Sequence, residues 1–235
     1  MANSNNSSSG VLIIDGGSYL SARKKVCSRQ SNGGDPNGFD IDMVRFVAEI
    51  EALVGVSFFT RYFYTSVDSP EFIKYLESPK PYGPQIRVEK FSIKWQGGLT
   101  AVGSYSKIAV EKGVDVALAV KIISCAFGIN SEQKADFICV VSGDGDLYPA
   151  LEAADSLSTL RNRLFVLGEK ASLSSSLYRF VCTDRNRNGV FLEDILLRCM
   201  VSGASLVSSF SLLAPNPTVV SSPIRGDFAV ADVSF

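Results

Sequence analysis

Short, fully apolar runs alternate along this chain with longer segments whose apolar residues recur every three or four positions. The first run, Val11–Ile14 (VLII), stops at Asp15-Gly16-Gly17 and reads as a buried parallel strand ending in a glycine turn. Val56–Tyr64 and Arg87–Trp95 alternate as further strands. Phe137–Val141 (FICVV) is a second wholly apolar strand, ending at Ser142-Gly143-Asp144, and Arg163–Leu167 is another. Helical spacing marks Phe39–Leu53, with Asp40 or Asp42 at its start, then Pro70–Leu76, Val114–Phe127, Leu147–Leu157, Ser172–Phe180 and Phe191–Met200. Residues 28–38, 78–84 and 96–106 are rich in Gly, Ser, Asn or Pro and read as loops. Strands alternating with helices imply an α/β fold: a mainly parallel central sheet covered on both faces. Residues 1–10 read as a disordered Asn/Ser leader, 11–200 as the folded domain, and 201–235 as a poorly ordered C-terminal extension.

Composition narrows the chemistry. The 235 residues, 46% of them hydrophobic, suffice for one well-buried core, and the formal net charge of -1 gives no global field for nucleic acid. The chain has no histidine. That excludes Ser-His-Asp and Cys-His triads, imidazole acid/base catalysis and His-ligated metals. The five cysteines, Cys27, Cys125, Cys139, Cys182 and Cys199, lie mostly in apolar runs without C-x-x-C spacing, which fits reduced core residues of an intracellular protein, cytoplasmic or nuclear. Residues 2–9 lack the apolar stretch of a secretory signal, and no apolar run is long enough to span a membrane.

In parallel sheets, ligands bind beyond the carboxyl ends of the strands. Asp15, Asp144 and Asp146 follow two such ends, and Asp115 opens the helix after Gly113. Gly16, Gly17, Gly143 and Gly145 let backbones approach one another there. Crowded carboxylates either raise one another's pKa or hold a cation, and oxygen ligands select Mg²⁺ or Mn²⁺. Each acid alone also suits an ordinary turn or helix cap.

At these residues the chain resembles the NYN domain family, including the LabA-like proteins, a branch of the PIN-like nuclease superfamily. The blocks are VLIIDGGSYL (11–20), RYFYTSVDSPEF (61–72), EKGVDVALAVKI (111–122) and VVSGDGDLYPALE (140–152), with a weaker one at 163–184. The resemblance implies a three-layer α/β/α PIN-like fold and a metal-dependent ribonuclease with Mg²⁺ or Mn²⁺ held among Asp15, Asp115, Asp144 and Asp146. Two positions depart from the family pattern. Ser18 stands where the first motif has Asn, and Lys121 where the helix block carries an acid. These departures support an alternative, a catalytically degenerate NYN-like module that binds RNA or protein without cutting. A haloacid-dehalogenase-type phosphatase ranks below both, because Gly17 occupies the place of its second acid.

An RNA grip, single-stranded RNA favoured, would draw on Ser18, Lys107, Lys112 and Lys121. Basic residues Lys80, Arg87, Lys90 and Lys94, interleaved with Tyr82, Phe91, Trp95 and Tyr105, fit either a groove for phosphates and bases or a solvated strand face. Arg185 and Arg187 offer a weaker contact of the same kind. PIN-like domains often pair, so the apolar run Ile195–Leu213 is a candidate surface for a homodimer.

Overall fold

The computed structural model describes residues 10–31, 39–66, 69–99, 105–111, 113–130, 132–158, 160, 163–186 and 188–202, with only the backbone of 93–99 and 105–111. The leader up to residue 9 and the extension from 203 lie outside the described residues.

Five strands form one parallel sheet: β1 (Gly10–Asp15), β3 (Phe58–Thr65), β4 (Arg87–Lys90), β7 (Phe137–Val141) and β8 (Leu164–Leu167), in the order β4-β3-β1-β7-β8. Every residue of β1 and β7 is buried, as their unbroken apolar sequences require of central strands. The two faces of β1 feed two cores. Leu12 and Ile14 pack with Tyr19, Ala22 and Val26 of α1 (Gly16–Gln30), Phe46 and Ile50 of α2 (Met43–Val54), Leu76 of α3 (Pro70–Glu77) and Ile195 of α6 (Leu192–Cys199). Val11 and Ile13 pack with Leu118 and Ile122 of α4 (Val114–Phe127) and Leu151 of α5 (Tyr148–Leu157). The architecture is therefore three-layer α/β/α.

Local chemistry sets the ends of these elements. Asp42 caps α2, its Oδ1 accepting from the backbone of Val44 (2.9 Å) and Arg45 (3.1 Å). Gly55 closes the same helix in a left-handed conformation, φ 71°.

Four expectations need correction. A helix, α1, follows Asp15 directly, and it runs to Gln30, so the loop expected from residue 28 begins later. Residues 39–41 are not the start of α2 but a short strand, β2 (Phe39–Ile41), paired antiparallel with β9 (Met200–Ser202). The strand expected over 87–95 is two: β4 in the main sheet, then β5 (Ile93–Leu99), which forms a separate hairpin with β6 (Tyr105–Glu111) across most of the expected loop. Within Ile195–Leu213, Ile195, Leu196 and Cys199 are buried in the chain's own core, so they offer no surface to a second copy. Residues 203–213 of that run lie outside the described residues.

All five cysteines are buried free thiols, and burial pushes up the pKa of Cys125 and Cys199 to about 12 and of Cys182 to about 11. They are core residues. Among the described residues, no helix is long and apolar enough to cross a membrane.

The two-sided burial of β1 gives a direct expectation. Ile13→Ala should cost about 2–5 kcal/mol, because it opens a void in a wholly buried site. Val120→Ala, on the solvent side of α4 at 52% exposure, should change stability by about 0.5 kcal/mol or less. Urea denaturation of the two variants measures both, and equal midpoints would contradict the layer assignment.

Candidate functional site

The chain leaves β1 toward β3 on one side of the sheet, and α4 brings it back to β7 on the other. The topological switch point thus lies between β1 and β7, where open α/β sheets bind ligands beyond the strands' carboxyl ends. Asp15 and the Ser142-Gly143-Asp144 turn stand at that point.

Asp15 is both the last residue of β1 and the N-cap of α1, with no loop between them. The passage is tight: a Cβ on Gly16 would meet the Tyr64 carbonyl oxygen at 2.5 Å, so only glycine fits there. The Asp15 side chain is 7% exposed and accepts four hydrogen bonds. Oδ1 takes the backbone N–H of Gly17 (2.9 Å) and Ser18 (3.2 Å). Oδ2 takes the hydroxyls of Ser18 (2.6 Å) and Ser142 (2.9 Å). A carboxylate has about four lone-pair sites, so these donors satisfy Asp15 fully.

Ser142, fully buried, joins the two strand ends. Its Oγ donates to Asp15 Oδ2 and accepts from the backbone N–H of Asp144 at 3.2 Å. Asp144 is half-buried and caps the 3-10 turn Gly145–Leu147, its Oδ1 accepting from Asp146 N at 2.9 Å. Asp146 is exposed in that turn. Asp115 is exposed in the first turn of α4; the cap itself is Gly113, in a left-handed conformation. An acid in a first turn favours the helix macrodipole. The fold therefore couples Asp15 to Asp144 through one hydroxyl and leaves Asp115 and Asp146 at the solvent side. Among the described residues, no three Cys, Asp or Glu side chains converge as a set that could hold one metal ion.

The remaining candidates fall in different places. Ser18 turns back onto Asp15 and lies 3.4 Å from the Ser142 hydroxyl. Lys121 is half-buried: its Nζ donates to Glu132 at 2.8 Å and sits 4.2 Å from the Tyr62 ring centroid. Tyr62 also donates to Glu132, at 2.7 Å. The Lys107 side chain and the whole of Lys112 and Arg187 lie outside the described residues, as do the side chains of Lys94, Trp95 and Tyr105. Tyr82 and Arg185 are exposed, and Arg87 lies over the Tyr62 ring.

Two residues of the site were given no role by the sequence. Ser142 is one. The other is Glu169, which follows β8 after Gly168, a strand run ending in glycine and an acid as at 141–144. Glu169 is 9% exposed and pairs with Lys25 of α1 at 2.6 Å. It lines a crevice of about 270 Å³ with Gly17, Ser18, Ser21, Lys25, Gly143 and Ser172. The serine-rich segment 172–176 shapes the wall, since Ser174 N donates to the Gly143 carbonyl at 3.1 Å.

No family model matches the chain, and no curated protein matches it. Among solved structures, it is similar to a protein of unknown function, VPA0982, from Vibrio parahaemolyticus. The two are 17% identical over 82% of this chain and 98% of that one, with a TM-score of 0.49. A likeness of that degree carries no argument about activity.

Asp15→Ala should destabilise the fold by about 2 kcal/mol, through loss of the cap and stranding of the Ser142 hydroxyl. Asp15→Asn, itself a good cap, should stay within about 1 kcal/mol of the parent. Chemical denaturation measures both; an Asp15→Ala variant as stable as the parent would contradict the four-donor arrangement.

Glu132 supplies a pH dependence. Burial raises its pKa, but the hydrogen bonds from Lys121 and Tyr62 and the Lys121 charge outweigh burial, leaving it below the ordinary carboxylate value. The stabilisation is therefore complete above the unfolded value of about 4.3 and is lost as pH falls through the lower folded value. Glu132→Gln should show a shallower loss of thermal stability below about pH 4.3. Parallel acid limbs in the two proteins would remove Glu132 from the account.

Proposed function

We propose that this chain is a metal-dependent ribonuclease of the NYN, PIN-like type, cleaving RNA phosphodiesters at the β1/β7 switch point. The observation that carries the reading is the Ser142 hydroxyl, which donates to the Asp15 carboxylate and accepts from the Asp144 backbone N–H, so that two acid-bearing strand ends adjoin at the place where such sheets act on ligands. Mg²⁺ is commonly held through one or two carboxylates, with water and phosphate oxygens completing its shell. Asp15 and Asp144 fit that mode rather than an all-protein cage. Asp15 would exchange a serine hydroxyl at Oδ2 for the cation, and the exposed Asp115 and Asp146 would act through ordered water. When bound, the Mg²⁺ or Mn²⁺ supplies an acidified water and neutralises charge on the scissile phosphate. The chain's own part is orientation. Ser18 and Ser142 hold the Asp15 carboxylate in place, Gly143 leaves room beside it, and the capped 3-10 turn fixes Asp144.

A second reading has its own support. The four protein donors on Asp15 make it a complete structural cap, and Lys121 spends its charge on Glu132 and Tyr62. Both features suit a module that binds RNA or protein without cutting.

Labelled single-stranded and structured RNA, incubated with the protein in Mg²⁺, Mn²⁺ or EDTA, separates the two. The nuclease reading expects cleavage that needs metal and falls roughly a hundredfold or more in Asp144→Asn. Cleavage that survives both EDTA and the substitution overturns it. RNA bound but uncut in every metal favours the binding module.

A further inference from the structure

The crevice beside Asp15 has a composition that selects its occupant. Glu169, with its side chain 10% exposed, puts Oε2 to use twice: Lys25 Nζ donates to it at 2.6 Å and Ser172 Oγ at 3.2 Å. Its other oxygen, Oε1, engages no donor among the described residues. Oε1 keeps access to solvent, since it is not among the buried polar atoms left without a partner, and an acceptor open on a crevice can take a ligand's donor. The buried carboxylate repels an anion, so a phosphate is disfavoured. The Lys25 ammonium already on that carboxylate repels a cation, so a metal or an amine is disfavoured as well. What remains is a neutral hydroxyl. The other walls agree, being the hydroxyls of Ser18, Ser21 and Ser172 and the bare backbone of Gly143. At about 270 Å³ the crevice is smaller than the ~300–1,000 Å³ of drug-sized pockets, the scale of one sugar ring.

We infer that this crevice takes a ribose of the substrate strand, with Glu169 Oε1 accepting the 2′-hydroxyl that DNA lacks. The inference rests on the ribonuclease or RNA-binding reading of the adjoining site and adds what neither specifies, a device that tells RNA from DNA. Ser18 joins the two parts: it lines the crevice and donates to Asp15 Oδ2, which places the sugar next to the acidic centre. Glu169 is here a specificity-determining residue, and Lys25 and Ser172 position it.

The test uses the whole chain and three single-stranded oligonucleotides of one sequence: RNA, its 2′-deoxy form and its 2′-O-methyl form. Binding is read by fluorescence anisotropy in Ca²⁺, an oxygen-ligated cation like Mg²⁺. A hydrogen bond to a charged acceptor predicts that wild-type protein binds the RNA roughly tenfold or more tightly than either modified strand. The 2′-O-methyl strand matters because it keeps the oxygen and removes only the donor. In Glu169→Gln the gap between the RNA and the 2′-O-methyl strand should shrink at least severalfold, with the thermal melt showing a folded protein. The wild-type comparison of three strands stands even if that variant does not fold. RNA binding with equal affinity for all three strands overturns the inference while leaving the function proposed above intact, as does discrimination unchanged in a folded Glu169→Gln. Failure to bind or cleave any RNA overturns both together.

Discussion

A carboxylate at the buried end of a central strand must have a donor for each of its lone pairs, or its charge destabilises the fold. Asp15 meets that demand by making the strand end a helix start. With no loop between β1 and α1, the N–H groups of Gly17 and Ser18 in the helix's first turn arrive at Oδ1, and the hydroxyl of the same Ser18 reaches Oδ2. The fourth donor comes from a different strand. Ser142 sits at the end of β7 because β7 pairs with β1 in register, Ile14 beside Val141, so the next residue on each strand meets across the same gap. The sheet's register and the helix cap thus depend on one side chain.

The same arrangement bears on the chemistry. An aspartate that caps a helix is held in one orientation by the N–H groups of the first turn. On the nuclease reading a fixed carboxylate would suit a hard cation, yet each protein donor on it would compete with that cation for the same lone pairs. Hydroxyls are the donors that yield most readily, since a serine can rotate its O–H, whereas the Gly17 and Ser18 N–H groups cannot leave Oδ1 without unwinding the helix. Both serine donors are on Oδ2, the oxygen whose partners can turn away. Ser18 thus bears on how Asp15 is held, more than on which charges surround it.

How much of this was legible follows from the kind of signal each element carries. β1, β7 and α4 are apolar enough, and bounded clearly enough by glycine, that their limits follow from the sequence almost to the residue. The cap of α2 was legible only as a choice between Asp40 and Asp42, because the apolar residues of β2 extend the helical period back to Phe39; the structure selects Asp42. α1 was not, because its buried residues Tyr19, Ala22 and Val26 are scattered among Ser, Arg and Lys, and two glycines open it. The division of 87–95 into β4 and β5 was hidden because the alternation runs on through the bend at 91–92, and periodicity cannot say which sheet a strand joins. The Asp15–Ser142 contact links residues 127 apart, and the Lys121–Glu132 pair spans a helix end and a loop. No local spacing rule reaches either one. Glu169 did carry a local sign, the apolar run and glycine before it, but it lacked the second acid that made 144–146 conspicuous.

The wall that holds Glu169 is built from the layer farthest along the chain. Leu192 N donates to the Gly168 carbonyl, and Lys170 N donates to the Glu193 carboxylate, so α6 fixes the turn after β8 from below. The backbone of that turn closes on itself, Ser172 N and Leu173 N both donating to the Glu169 carbonyl. Lys25 then reaches across from α1 to the Glu169 side chain. Three elements distant in sequence, α1, the β8 turn and α6, thereby set the width of the crevice next to Asp15. Because α6 also packs its Ile195 and Cys199 into the core beneath β1, the crevice wall and the strand that carries Asp15 rest on the same core. On the ribose reading, loss of discrimination without loss of stability would therefore point to the crevice residues themselves. Glu169, which Lys25 and Ser172 hold through Oε2, belongs both to this frame and to the crevice, so a variant there has to be read for stability and for binding together.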